Sequence, residues 1–390
     1  MSHGVRRWVA ASRWPTVARS AHLNARLDVS AMLTTEASAV LTLPVRLRGS
    51  CSQEEVQAAA GRLRALYRCA RVEVIPDRHR GDRVTVAIHT ELLPASRPWG
   101  PMYPADAVVP PSAARSLPLG VDDHGQVVGV RLFDAETGGS SALIAGVPGT
   151  GKTTAVRVLL AGLAPTTAAI AVIDPTGGSE STLWSPRLSA SVTSAEPEPT
   201  IDLLRSVLDL VAARGPLVAA GAPVSLLTPV LLVCDELAEL AAAGTAKQQE
   251  EARTLLRRIT ALGRKANVGV LLATQRTTAT SIDVTTRSLV AWRAALAHPD
   301  DPHGSEAVLG PSRYQAAQLA STDRGAAYVT AGGPPVLARV FDLDRAAVPA
   351  LARQGRPLDF EQLRAWDSAA LRELTHREGR ERCEGPHCPV

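Results

Sequence analysis

Residues 146–154 read Gly146-Val147-Pro148-Gly149-Thr150-Gly151-Lys152-Thr153-Thr154 and fill the pattern G-x-x-x-x-G-K-[ST] at Gly146, Gly151, Lys152 and Thr153. The apolar run Ala142-Leu143-Ile144-Ala145 precedes the stretch and Ala155 to Leu163 follows with helical spacing, so the strand, loop and helix that the pattern requires are all present. Such a loop wraps phosphates. Its glycines let backbone N–H groups turn inward and the helix N-terminus adds partial positive charge. Lys152 is expected to reach the β- and γ-phosphates, and the Thr153 hydroxyl to ligate a metal ion. The expected cofactors are ATP and Mg²⁺, with residues 146–154 as the binding loop.

Further along, Leu231-Leu232-Val233-Cys234 is an apolar strand that ends in Asp235 and Glu236. Asp235 is expected to hold Mg²⁺ through water and Glu236 to polarise the attacking water, which marks hydrolysis rather than binding alone. The same two acids also suit the first turn of a helix, where they complement its dipole. A third apolar run, Val268 to Ala273, ends in Thr274-Gln275-Arg276. A polar amide at that strand end, beside the acidic strand, makes Gln275 a candidate sensor of the γ-phosphate or its water.

Strands and helices alternate from the Ala142 strand onward: Ile170 to Ile173, a helix from Ile201 to Ala213, Pro229 to Cys234, a helix from Lys247 to Leu262, Val268 to Ala273 and Leu289 to Leu296. That alternation predicts an α/β, RecA-like P-loop NTPase motor with a mostly parallel sheet, spanning residues 118–345. Residues 326–341 add two β-rich runs, expected as an edge hairpin. In front lies a small α+β domain, residues 36–92, with a β-α-β-β order and a Ser52/Glu55 capping box opening its helix. Seven prolines between Pro94 and Pro118 make residues 93–117 a linker or an extended strap. Residues 346–390 read as a helical tail.

The chain has 390 residues and a net charge of +4, a mildly basic balance that permits a nucleic-acid partner without requiring one. The five cysteines are scattered, as suits reduced thiols and a cytoplasmic setting. A zinc reading of Cys383, His387 and Cys388, with His376 upstream, is weakened because the adjacent His387 and Cys388 ligate one ion poorly. Residues 1–35 are expected to be a flexible basic arm: Arg6, Arg7, Arg13, Arg19 and Arg26 occur with no acidic residue among the first 27, and Pro15 argues against one continuous helix. A membrane-surface helix is the alternative reading, with Trp8 and Trp14 as its anchors. No stretch approaches the roughly 18–20 apolar residues that span a bilayer.

The run Gly263-Arg-Lys-Ala-Asn-Val-Gly-Val-Leu-Leu-Ala-Thr-Gln-Arg276 resembles the segment of FtsK/SpoIIIE DNA translocases in which a Gly-Arg pair leads into an apolar strand ending Ala-Thr-Gln-Arg. Asp235-Glu236-Leu237-Ala238-Glu239-Leu240 is similar to their acidic motif, Ile173-Asp174-Pro175 to their second-strand motif, and Pro118 to Gln126 to the lead-in before the phosphate loop. Thr176 stands where the family commonly has lysine, and the loop itself is closer to that of AAA+ ATPases. The resemblance implies a homo-hexameric ring that threads double-stranded DNA by ATP hydrolysis. It also implies an arginine completing each site from the neighbouring subunit, for which Arg293 in Ala291-Trp-Arg-Ala-Ala295 is the candidate, with Arg264 and Arg276 as alternatives. A small front unit, a Pro-rich strap and one motor are similar to the transfer proteins of actinobacterial conjugative elements. That similarity implies a membrane-associated transfer partner and a location in the cytoplasm at the inner face of the membrane. The alternatives are a secretion-type motor acting on protein substrates, resembling EccC, and an AAA+ remodelling ATPase.

Overall fold

The computed structural model describes residues 3–28, 40–69, 71–77, 79–89, 97–100, 116–122, 125–276, 284–298, 301–367 and 369. The chain divides into two compact units, Met1–Ala95 with Asp122–Gln126, and Ser96–Val121 with Val127–Val390. The first unit contains α1 (His3–Ser20), β1 (Ala25–Leu27), β2 (Val40–Leu47), α2 (Gln53–Ala58), α3 (Ala60–Tyr67), β3 (Arg71–Pro76) and β4 (Arg83–His89). Its antiparallel sheet runs β1-β2-β4-β3. Period-two alternation buries Val72, Val74, Val84 and Val86 against Val56 and Leu63 of the two helices. The capping box opens α2 as expected, with the Ser52 hydroxyl and the Glu55 carboxylate each accepting a backbone N–H from the other residue.

The basic N-terminal stretch departs from the expected flexible arm. Residues 3–20 form one helix with Pro15 inside it, and Ala10, Trp14, Val17, Ala18 and Ala21 are buried in the same core as Leu43 and Leu63. Trp14 is 1% exposed, and its indole N–H donates to the Ala25 carbonyl at 3.2 Å. Arg13 lies on the exposed side, where its guanidinium stands 5.8 Å from the Tyr67 ring centre and donates to the Leu66 carbonyl. A proline inside a helix costs about 3 kcal/mol. Burying the ~200 Å² of an indole returns about 5 kcal/mol at 25 cal/mol per Å², so the tryptophan outweighs the proline. The arginine count had masked an apolar stripe at helical spacing.

The second unit continues with β5 (Leu117–Asp122), β6 (Val127–Val130), β7 (Phe133–Asp134), β8 (Gly138–Gly139), β9 (Ser141–Ala145), α4 (Lys152–Leu163) and β10 (Ala169–Ile173). Then come α5 (Ser181–Trp184), β11 (Ala190–Val192), α6 (Pro197–Ala219), β12 (Val230–Cys234), α7 (Leu237–Ala242), α8 (Ala246–Leu262) and β13 (Val268–Thr274). The order closes with α9 (Val284–Leu289), β14 (Trp292–Leu296), α10 (Pro302–Leu309), β15 (Ala326–Thr330), β16 (Val336–Val340) and α11 (Val348–Leu351). Ten strands form one sheet in the order β11-β10-β12-β13-β9-β14-β15-β16-β5-β6. The pairings from β11 through β14 are all parallel. This is the doubly wound α/β motor fold predicted from the alternation, and its core joins Ile144, Leu159, Leu163, Ile170, Leu231, Leu271 and Leu296.

The hairpin of residues 326–341 is not at an edge. Its strands lie between β14 and β5, because the lead-in Leu117–Val130 folds as a further hairpin beyond β16. Gly120 permits this approach, since a Cβ there would fall 2.0 Å from the Arg339 carbonyl oxygen. Helix α6 is longer than the predicted 201–213, and the segment expected as a strand from Leu289 divides into α9 and β14. Of the Pro-rich strap, residues 97–100 are described, and Pro98 forms a parallel bridge with Asp342. Beyond residue 345 come α11 and a helical stretch to 367. There Asp367 pairs at 2.7 Å with Arg214, whose side chain is fully buried. Residues 29–39, 101–115 and 370–390, including Cys383, His387 and Cys388, lie outside the described residues.

Replacing Trp14 by alanine is expected to remove about 3–5 kcal/mol from the first unit. A urea titration followed by far-UV circular dichroism reads this as an earlier transition for that unit. An unshifted transition would return residues 3–20 to the status of a loose arm.

Candidate active site

Strand β9 delivers the chain to Gly146 at the carboxyl edge of the parallel strands, and α4 starts at Lys152, so the glycine-rich stretch turns between them. Gly151 has φ +111°, and a Cβ there would lie 3.1 Å from the Gly325 amide nitrogen, so both conformation and space favour glycine. The Gly325 N–H donates to the Thr150 carbonyl at 2.8 Å, and the Thr150 hydroxyl donates to the Val147 carbonyl at 2.7 Å. These two bonds tie the loop to itself and to the start of β15.

Strands β12 and β13 end beside β9, since Cys234 is in register with Leu272, and Thr274 with Ala145. Parallel pairing therefore brings together three loops that are far apart in sequence. The Lys152 side chain is 7% exposed. Its ammonium donates to the Asp235 main-chain carbonyl, lies 3.1 Å from Asp235 Oδ1, and stands 3.7 Å from Glu236 Oε2. Burial raises the Asp235 carboxyl above its ordinary range. The charge and hydrogen bond of Lys152 oppose that rise, and the nearby Asp174 and Glu236 reinforce it. Cys234, at the preceding position, is pushed up to about 12 by burial and is a packing residue.

Glu236 is held on several sides. Its Oε1 accepts the Thr274 hydroxyl at 2.9 Å, both oxygens accept the Gln275 backbone N–H at 3.2 Å, and the Ala238 N–H donates at 3.4 Å. The last bond makes Glu236 the N-cap of α7, so the helix-start reading of the acidic pair and the site reading hold together. Asp174, ending β10, accepts the Thr176 hydroxyl at 2.6 Å and the Ser181 hydroxyl at 3.3 Å. Thr176, in the place of the lysine common in the resembled translocases, thus serves the turn after β10.

A cavity of about 530 Å³ opens over the loop, lined by Val147–Gly149 and Gly151–Thr154, by Gln275, and by Arg324, Gly325 and Arg339–Asp342. Its size suits a nucleotide. Lys152, Asp235, Glu236 and Gln275 are brought together as the sequence reading required. Arg293 is not brought to the loop: its guanidinium donates to the carbonyls of Arg287, Val290 and Val308. Burial, together with the neighbouring Arg287 and Arg313, lowers its pKa. Sequence reading passed over Thr274 as a site residue, although a hydroxyl ending the strand beside the acidic strand was a visible signal. Arg324 and Arg339 carried no motif, and only the hairpin's position in the sheet brings them to the cavity.

A family model described as an AAA domain matches residues 135–280, the segment from β7 past the end of β13. Among solved structures, the monomer form of the pCW3 conjugation coupling protein TcpA with ATPγS is 17% identical with a TM-score of 0.60, covering 88% of this chain and 99% of that one. The cytoplasmic domain of the Thermomonospora curvata type VII secretion ATPase EccC is 23% identical with a TM-score of 0.53. That match covers 65% of this chain and 33% of EccC's. No curated protein matches the sequence. The shared feature is the fold.

Thr274→Val keeps the volume and removes the hydroxyl that orients Glu236. Nucleotide turnover is expected to fall about tenfold, with nucleotide affinity unchanged. A steady-state assay beside a binding titration checks this; unchanged turnover would free Glu236 from its dependence on Thr274.

Proposed function

We propose that the chain is an ATP-dependent motor that moves double-stranded DNA in conjugative transfer, working as a ring of six subunits. The observation that carries the hydrolase half is the convergence of Lys152, Asp235, Glu236 and Gln275 on one glycine-rich loop over a nucleotide-sized cavity. Lys152 binds phosphate and Glu236 accepts a proton from the attacking water, held for that task by Thr274 and the Gln275 N–H. Gln275, exposed at the cavity wall, is placed to contact the γ-phosphate.

The donor set fits Mg²⁺: the hydroxyl of Thr153 and the carboxylate of Asp235 are oxygen ligands, and Mg²⁺ takes its remaining positions from phosphates and water. When bound, the ion neutralises phosphate charge.

For the polymer half, TcpA is a conjugation coupling protein and its match runs nearly the whole length of both chains. A motor of this class grips duplex phosphates rather than bases, so binding falls steeply with salt. A secretion-type motor on protein substrates is the second reading, favoured by the likeness to EccC. Among the described residues no helix is long and apolar enough to cross a membrane. A membrane-associated transfer partner at the inner face of the envelope belongs to the conjugative reading and is proposed with it.

ATP turnover measured with duplex DNA and with peptides separates the two readings: stimulation by DNA is expected, and stimulation by a peptide alone would overturn the translocase. Lys152→Ala should abolish turnover by weakening phosphate binding. Glu236→Gln should retain ATP while slowing hydrolysis about 10²–10⁴-fold. Subunits carrying Arg293→Ala mixed with subunits carrying Lys152→Ala should regain activity if Arg293 acts across an interface; no recovery would leave it as the carbonyl-binding arginine of its own chain.

A further inference from the structure

The cavity has two sides. On the β13 side Lys152 and Gln275 line it, with Asp235 and Glu236 in contact with them, the groups suited to the terminal phosphate. On the other side of β14, the ends of β15 and β16 bring Arg324, Arg339 and Asp342 to the same cavity. Their position is fixed from three directions. The Gly325 N–H is bonded to Thr150 in the loop at 2.8 Å, and the Val340 N–H to the Gly325 carbonyl at 2.8 Å. Arg157, one turn into α4, donates to the Leu343 carbonyl at 2.7 Å. Residues 339–342 therefore run alongside the first turn of α4, away from Gln275.

Among the described residues no ion pair or side-chain hydrogen bond engages Arg324, Arg339 or Asp342, although the Nε of Arg339 is buried. A buried guanidinium nitrogen without a partner carries a desolvation cost that an anion in the cavity would offset. Two guanidiniums suit phosphate oxygens. A carboxylate beside them repels phosphate and accepts hydroxyls, so it belongs at the sugar.

We infer that Arg324, Arg339 and Asp342 form the nucleoside-side half of the nucleotide site, with the two guanidiniums on the α- and β-phosphates and the carboxylate on the ribose hydroxyls. This rests on the nucleotide-binding reading above and extends it to residues outside the phosphate-loop motif. It makes the β15–β16 hairpin a binding element of the same subunit that holds the loop.

The test is calorimetric titration of the full chain with ATPγS, ADP and 2′,3′-dideoxy-ATP. Arg339→Gln and Arg324→Gln are each expected to weaken ATPγS and ADP by the same factor, about tenfold, because both ligands carry the α- and β-phosphates. Asp342→Asn should weaken ATPγS to the level of the dideoxy nucleotide and leave the latter unchanged. Arg324 is exposed, so its variant tests the inference free of folding effects, and Arg339→Lys provides a charge-retaining control for the half-buried position. Affinities within about twofold of the parent in both arginine variants would overturn the assignment. So would loss of ATPγS affinity with ADP untouched, which would move the arginines to the γ-phosphate. A parent chain that binds none of the three ligands would overturn the nucleotide reading itself, an outcome distinct from either.

Discussion

A lysine side chain almost removed from water, with Asp235 and Glu236 as its neighbours, sets the terms for the rest of the second unit. Burying that charge alone would be costly, and two carboxylates answer it only if the ends of β9 and β12 lie near one another. Parallel register supplies that condition. The loop after β9, the acids after β12 and the Thr274-Gln275 end of β13 meet because the three strands are neighbours, and the helices between them return the chain to the same edge of the sheet each time. A triphosphate entering the cavity would offer the lysine a stronger anionic partner than the two carboxylates that answer it here.

The second constraint is the orientation of Glu236. Its two oxygens accept four contacts: one from the Thr274 hydroxyl at the end of β13, two from the Gln275 backbone N–H just beyond it, and one from the Ala238 N–H of α7. A carboxylate held this way loses little further freedom when water is presented to it, which is the preorganisation that hydrolysis requires. The Gln275 backbone N–H binds Glu236 while its side chain reaches the cavity. One residue thus joins the acid that would activate water to the amide that would report on phosphate.

The other side of the cavity shows how much a fold adds to a motif. Placing β15 and β16 inside the sheet rather than at its edge follows from the lead-in hairpin beyond them, which depends on Gly120 for its close approach to Arg339. From β5 the Leu119 carbonyl accepts the Phe341 N–H at 2.9 Å, a bond within residues 339–342 that a hairpin at the edge would lack. In the smaller unit the balance ran differently. Charge composition pointed to an arm, and a single indole with its neighbours at helical spacing made a helix with a buried face.

The sequence by itself determined the phosphate loop, the acidic strand end, the Gln275 strand end and the α/β alternation. These depend on residue type at short spacing: glycines for the turn, a lysine and a threonine at the helix start, carboxylates after an apolar run. Only the tertiary structure decided the orienting role of Thr274 and the commitment of Arg293 to carbonyls of its own chain. It alone also decided the burial of Trp14 and the arrival of Arg324, Arg339 and Asp342 at the cavity. Each of those depends on strand order and on which face of an element meets a neighbour. Such contacts join residues whose spacing along the chain is arbitrary, so no local pattern records them.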